Sequence, residues 1–158
     1  SVEVETTSEM SQAVKGLWEK TDLFVSAAAV LDFDIETREG KLGKEAQSLE
    51  MLPSEDVLAW CGEHRREGQF LLGFAAETED LLERATRKRV RKKCNAVFAN
   101  PVGLKSEEGF ETDRNSGIWI GKNSASFQPM SKLDLAFELS RLIQKEWTHG
   151  SLRDEARA

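Results

Sequence analysis

Residues 70–100 read FLLGFAAETEDLLERATRKRVRKKCNAVFAN. The apolar run FLLGFA and the later run NAVFAN are short, bounded by polar residues, and predict two strands buried on both faces. Between them the acids Glu77, Glu79 and Asp80 come first and the bases come last. That order complements a helix macrodipole, so the middle predicts a helix. A strand, a helix and a second strand in this order form a parallel pair joined by a crossover.

The helix carries a question. The chain has a formal net charge of -6, yet it packs bases densely between Arg84 and Lys93. On one reading this is a solvated face, with Glu79 and Glu83 placed to pair with bases one turn on. On the other, spacing matters. Lys88 and Lys92 are four residues apart, with Arg84 one turn earlier, so cations line one side. Such a row suits a polyanion, either a triphosphate or a nucleic-acid backbone. The helix alone leaves both open.

Working outward, Val2 and Val4 in SVEVET predict a short strand. Met10, Ala13, Val14, Leu17 and Trp18 fall at helical spacing, with Thr7 or Ser8 as N-cap. The run DLFVSAAAVLDF predicts another strand covered on both faces. Residues 38–48 read as a loop, and Ser54 is placed to cap a helix carrying Val57, Leu58 and Cys61 that ends near Gly68. Residues 101–117 read as a long loop, followed by a hairpin around Gly121, Lys122 and Asn123. A last helix starts at Ser131 with Asp134 at the capping-box position, and its expected apolar face is Leu133, Ala136, Phe137, Ile143 and Trp147.

Strand and helix alternate through most of the chain, which predicts an α/β sheet, mostly parallel, with helices on both sides. Ligands bind such sheets at the carboxyl ends of the strands. Asp32, the AAET turn and Asn100 stand at those ends. No glycine-rich strand-to-helix turn occurs, so the usual backbone cradle for phosphate is missing. The length of 158 residues suits one domain, 1–150, with a fraying tail at 151–158. The 39% apolar and 32% charged content is that of a soluble globular protein. No run is long enough to span a membrane, and the polar start SVEVETTSEM is no signal peptide. Two cysteines, Cys61 and Cys94, in apolar surroundings predict core packing in a reducing cytosol. Net acidity argues against general nucleic-acid affinity. His64 and His149 lack companions at ligand spacing, and no serine or cysteine has an activating partner.

Together, SAAAVLDF, GKLGK, LLGFAAETEDLLERATRKRVRKK, VFANPVG and GFETDRNSGIWI resemble, in order, the phosphopantothenoylcysteine synthetase (phosphopantothenate–cysteine ligase) family. The family forms the second half of many bacterial bifunctional coenzyme A enzymes, and the resemblance covers residues 2–147. It implies a three-layer Rossmann-like α/β fold with a C-terminal hairpin extension. It also implies a two-step ligation in the cytoplasm. A nucleoside triphosphate, CTP or ATP, with Mg2+ activates the carboxylate of 4'-phosphopantothenate as an acyl-nucleotide, and the amine of cysteine then forms the amide.

By matching motifs, the resemblance puts Ser26, Ala27 and Ala28 where backbone approaches the nucleotide, and Asp32 near the nucleotide and its metal. Lys41 matches the lysine that stabilises the α-phosphate and is the catalytic candidate. Glu55, Asp56, Val57 and Leu58 match the helix start that meets base or ribose, and Phe74 matches the aromatic at the base. Lys88 and Lys92 match the triphosphate lysines, which favours the sharper reading of the basic helix. The resemblance further implies a homodimer, through residues 101–130, and a fused or separate flavin-dependent decarboxylase.

The chain departs from the family's pattern in several places. Ser54-Glu55-Asp56 replaces Asn-Pro-Asp, Gly43 stands where a third lysine is common, and Pro101 follows Asn100 in place of an aspartate. The family's first strand, glycine-rich turn and Asn-x-Ser-Ser-Gly segment have no counterpart before Ser1, so this sequence is expected to be a C-terminal piece. Two other functions remain in view: an inactive nucleotide-binding or scaffolding module, and nucleic-acid binding through the basic helix. The second is weakened by the lack of basic–aromatic interleaving.

Overall fold

The computed structural model describes residues 1–35, 51–102 and 112–155. The side chains of residues 34, 35 and 148–155 lie outside that description. The chain divides into two compact units, one of residues 1–20 and 28–57, the other of residues 21–27 and 58–158.

The first unit holds α1 (Thr7–Leu17), a 3-10 turn at Trp18–Lys20, and a ribbon of β2 (Phe33–Ile35) paired antiparallel with β3 (Met51–Pro53). Thr6, not Thr7 or Ser8, caps α1. Its hydroxyl accepts from Glu9 N at 3.2 Å, and the Glu9 carboxylate accepts from Glu5 N at 2.8 Å and Thr6 N at 3.0 Å. These amides, first that of Glu5, hold the Glu9 carboxyl below its ordinary value. The same box removes the expected strand at SVEVET. Residues 1–5 pair with no described strand, and Val2 and Val4 are exposed. A two-residue apolar alternation cannot hold an extended chain without a neighbour to take its backbone groups.

The second unit is a five-stranded sheet in the order β1–β4–β5–β6–β7. β1 (Leu23–Ser26), β4 (Phe70–Glu77) and β5 (Ala96–Pro101) are parallel; β6 (Arg114–Ile120) and β7 (Ser124–Ser131) add antiparallel pairs. α2 (Val57–Glu63) and α3 (Leu81–Arg91) lie before and after β4, and α4 (Lys132–Glu155) follows β7. One face of the sheet carries Phe70, Leu72, Phe98 and Trp119 against Leu135, Leu139 and Ile143 of α4. Gly73 faces the other way, where an added Cβ would meet Leu58 of α2. The three-layer α/β architecture expected from the sequence is present.

Several local expectations change. The apolar run from Asp22 to Phe33 is not one covered strand. β1 ends at Ser26, lies at the sheet edge, and leaves Leu23 and Val25 exposed; the run resumes as β2 in the other unit. Its continuous hydrophobicity belongs to an edge strand, not to a central one. Ser54 does not cap α2. Its hydroxyl donates to the Leu31 carbonyl, and α2 stops at Glu63, well before Gly68. Pro101 belongs to β5, and β6 begins at Arg114, inside the expected loop; residues 103–111 lie outside the description, as do 36–50.

The hairpin at Gly121–Asn123 and the cap at Ser131 are as expected, Asp134 N donating to Ser131 Oγ at 3.0 Å. The apolar face of α4 is as expected only at Ile143 and Trp147, which pack in or against the core. Leu135, Leu139 and Ile143 are buried, while Leu133 and Phe137 are 67% and 62% exposed. Apolar residues at helical spacing run along two adjacent stripes, and periodicity alone cannot say which meets the sheet. The tail expected to fray is helical through Glu155.

Candidate functional site

The basic helix resolves residue by residue. Arg87 pairs with Glu83 at 3.5 Å, and Arg84 reaches Glu77 at 3.3 Å and Glu79 at 3.5 Å. Arg89 Nε donates to the Asn95 carbonyl at 2.9 Å, tying the end of the helix to the start of β5. Lys88 does something different. Its Nζ donates to the Phe74 carbonyl on β4 at 2.7 Å. β1 stops pairing with β4 at Ser26 and Gly73, so this ammonium sits just past the carboxyl end of β1. That is where Ser26 and Ala27 lie, and small side chains leave room beside the cation.

Lys92 is one turn further along, its amide bonded to the Lys88 carbonyl at 2.9 Å, and it is only 9% exposed. Both lysines act on Cys94. Burial pushes that thiol up to about 11, while the charges of Lys88, Arg65, Lys92 and Arg89 pull against it. Burial together with the nearby Cys94 pushes the Cys61 thiol up to about 12. The expected outcome is that neither thiol reacts with a disulfide reagent at pH 8 in the folded chain, and both react in denaturant; titration with a chromogenic disulfide checks it.

Phe74 is half-buried on the opposite face, its ring 5.5 Å from Phe98 and packed on the core. At the end of β5, Asn100 is 6% exposed, at the strand-end rim where ligands bind such sheets. Sequence reading placed Asn100 at a strand end but gave it no role; its burial is the signal that spacing does not carry. Val57 and Leu58 are buried, so a ligand contact there falls to their backbone.

Within the first unit, Ala28 and Asp32 are exposed, and the Asp32 carbonyl accepts from Ser54 N at 3.0 Å. The Glu55 carboxylate is engaged by Lys15 at 2.6 and 2.7 Å and by the Ser11 hydroxyl. These contacts, Lys15 first, hold its carboxyl below the ordinary value. Asp56 is exposed. Lys41 lies outside the described residues. Among the described residues no three acidic, histidine or cysteine side chains gather as a metal site. Asp32 alone is still compatible with Mg2+, which uses one or two carboxylates and takes its remaining ligands from phosphate and water.

His64 is not a ligand candidate: its ring stacks on Trp60 with centroids 4.2 Å apart, and Nδ1 lies 2.9 Å from the Trp60 carbonyl. A cleft of about 570 Å3 lies at the opposite, amino end of β4 and β5, lined by residues including Arg65, Arg66, Lys122 and Trp147. It contains none of the nucleotide-site candidates named from the sequence. No described helix is long and apolar enough to cross a membrane.

Over residues 1–146 the chain matches the family model described as DNA/pantothenate metabolism flavoprotein C-terminal domain. It is 33% identical over 147 residues to the coenzyme A biosynthesis bifunctional protein CoaBC of Bacillus subtilis strain 168, covering 90% of this chain and 36% of that protein. It is 30% identical over 146 residues to a cysteine/cysteine sulfinic acid decarboxylase of an unknown prokaryotic organism, covering 90% of this chain and 41% of that protein. The chain thus spans well under half of these relatives. Among solved structures, the C-terminal domain of a coenzyme A biosynthesis bifunctional protein CoaBC superposes with a TM-score of 0.72 at 27% identity, covering 97% of this chain and 66% of that one. The family model and the superposed fold both cover nearly the whole chain: this chain belongs to the family of DNA/pantothenate metabolism flavoprotein C-terminal domains.

Proposed function

We propose that the chain is the nucleotide-binding part of a phosphopantothenate–cysteine ligase of coenzyme A biosynthesis. The carrying observation is the Lys88 ammonium at the end of β1, beside Ser26. A nucleotide laid over the strand ends of the second unit would meet small side chains at Ser26 and Ala27, the Asn100 amide, and the cations Lys88 and Lys92 against its phosphates, and Ala28 is assigned to the nucleotide by its motif alone. Preorganised positive charge stabilises the charge that develops as the carboxylate of 4'-phosphopantothenate attacks the α-phosphate and pyrophosphate leaves. Lys41 is assigned to that oxygen by its motif. By its motif Asp32 is assigned to Mg2+, which would supply counter-charge to the phosphates. The amine of cysteine then displaces the nucleotide monophosphate and forms the amide.

CTP is the proposed nucleotide, with ATP the alternative. A homodimer and a flavin-dependent decarboxylase, fused or separate, are the proposed partners. Ser54, Gly43 and Pro101 stand at family motif positions with altered residues, which supports a second reading as an inactive nucleotide-binding or scaffolding module. Thermal melting with nucleotide tests the binding that both readings share. Mg·CTP at millimolar concentration is expected to raise Tm and cytidine to raise it far less; an unchanged Tm with Mg·CTP and Mg·ATP sinks the proposal. Amide formation from 4'-phosphopantothenate, cysteine and CTP in the full-length protein separates ligase from inactive module.

A further inference from the structure

We infer that Gly62 of α2 is a positioning residue for the phosphate-binding lysines, an inference that rests on the nucleotide reading above. A Cβ built on Gly62 would lie 1.9 Å from the Lys92 carbonyl oxygen, 2.9 Å from the Lys92 carbonyl carbon and 3.3 Å from the Lys93 Cβ. The two nearest atoms are backbone, which cannot swing aside as a side-chain tip can. α2 therefore touches the end of α3 at the residue that carries one of the two lysines.

Neither side of this contact can yield cheaply. The end of α3 is closed by Cys94 N donating to the Arg89 carbonyl at 3.0 Å and Lys93 N to the Val90 carbonyl at 3.1 Å. Lys93 is held at φ 51, a left-handed conformation that a residue with a side chain adopts only under constraint. On the other side, α2 is pinned by Cys61, fully buried, and by Leu58, seated over Gly73. Any side chain at residue 62 must therefore push the last turn of α3 along or away from the sheet. Lys92 moves with that turn. Lys88 follows through the backbone bond between Lys92 N and the Lys88 carbonyl, and its ammonium leaves the Phe74 carbonyl. The absence of a side chain at Gly62 sets where the positive charge stands.

The test is nucleotide affinity of the Gly62→Ala chain. A shift of the helix end is expected to weaken Mg·CTP binding by about tenfold, a smaller effect than the roughly hundredfold that a 1 Å misplacement can cost a reaction rate. Cytidine, which lacks phosphates, should bind as before. In a chain carrying both Lys88→Met and Lys92→Met the same Gly62→Ala change should cost little more, because a residue acting through the two lysines is not additive with their loss. Affinity within twofold of the unmodified chain, or an equal loss with and without the two lysines, overturns the role of Gly62. An unmodified chain that binds no nucleotide overturns the proposed function instead. Should Gly62→Ala not fold, hydrogen exchange on the unmodified chain decides: Mg·CTP must slow exchange at residues 61–64 together with 89–94, and protection that spares 61–64 defeats the inference.

Discussion

Lys88→Glu is expected to abolish the gain in stability that Mg·CTP gives the unmodified chain. Nucleotide at a hundred times its Kd contributes about 2.7 kcal/mol to a protein that binds it only when folded. The variant reverses the charge proposed to meet the phosphates, so the whole of that contribution is expected to be lost. It also gives up the hydrogen bond to the Phe74 carbonyl, and a bond from a charged donor is worth about 1.5–3 kcal/mol. The baseline Tm of the variant will therefore be lower. The ligand-induced shift must be read against each variant's own baseline. Lys88→Met loses the same bond without bringing in an acid, so a partial shift is expected there. Equal shifts in all three chains would mean that Lys88 ties α3 to β4 and nothing else.

The largest structural effect is expected at Trp119. Trp119→Ala should cost about 4 kcal/mol, within the ordinary range for deleting a large buried aromatic. Trp119 is 1% exposed and packs with Phe98 and the buried stripe of α4. Its indole Nε1 donates to Glu146 at 3.0 Å, and the same carboxylate accepts from Lys122 N at 3.1 Å. Glu146 is itself buried, so removing the indole opens a cavity and strips a donor from a buried carboxylate. Trp119→Phe keeps most of the volume and loses only the N–H, and is expected to fall between. Urea unfolding followed by circular dichroism measures all three. A loss under about 2 kcal/mol for Trp119→Ala would mean that α4 is not anchored to the hairpin in this way.

Much of this arrangement was legible in the chain itself. FLLGFA and NAVFAN are strands because short apolar runs between polar boundaries have few other solutions. The cap at Ser131 was visible because its partner, Asp134, is only three residues away. The errors share a cause. Val2 and Val4 alternate as a strand would, but a strand also needs a neighbour. The run at Leu23 is as apolar as a central strand, yet its place at the edge depends on how β4 and β5 pair. Leu133 and Phe137 satisfy the same period as the buried Leu135 and Leu139, so spacing does not tell the two stripes apart. The buried carboxylate of Glu146 was invisible, since its donors on Trp119 and Lys122 lie in a different element.

The same division holds at the candidate site. The order of strand and helix and the four-residue spacing of Lys88 and Lys92 follow from the sequence, because propensity and periodicity act over neighbouring residues. Only the folded chain decided that Lys88 reaches the Phe74 carbonyl, that Asn100 is buried, and that Gly62 stands against Lys92. Each of these depends on where a separate element ends, and no local pattern encodes the end of an element that lies far away along the chain.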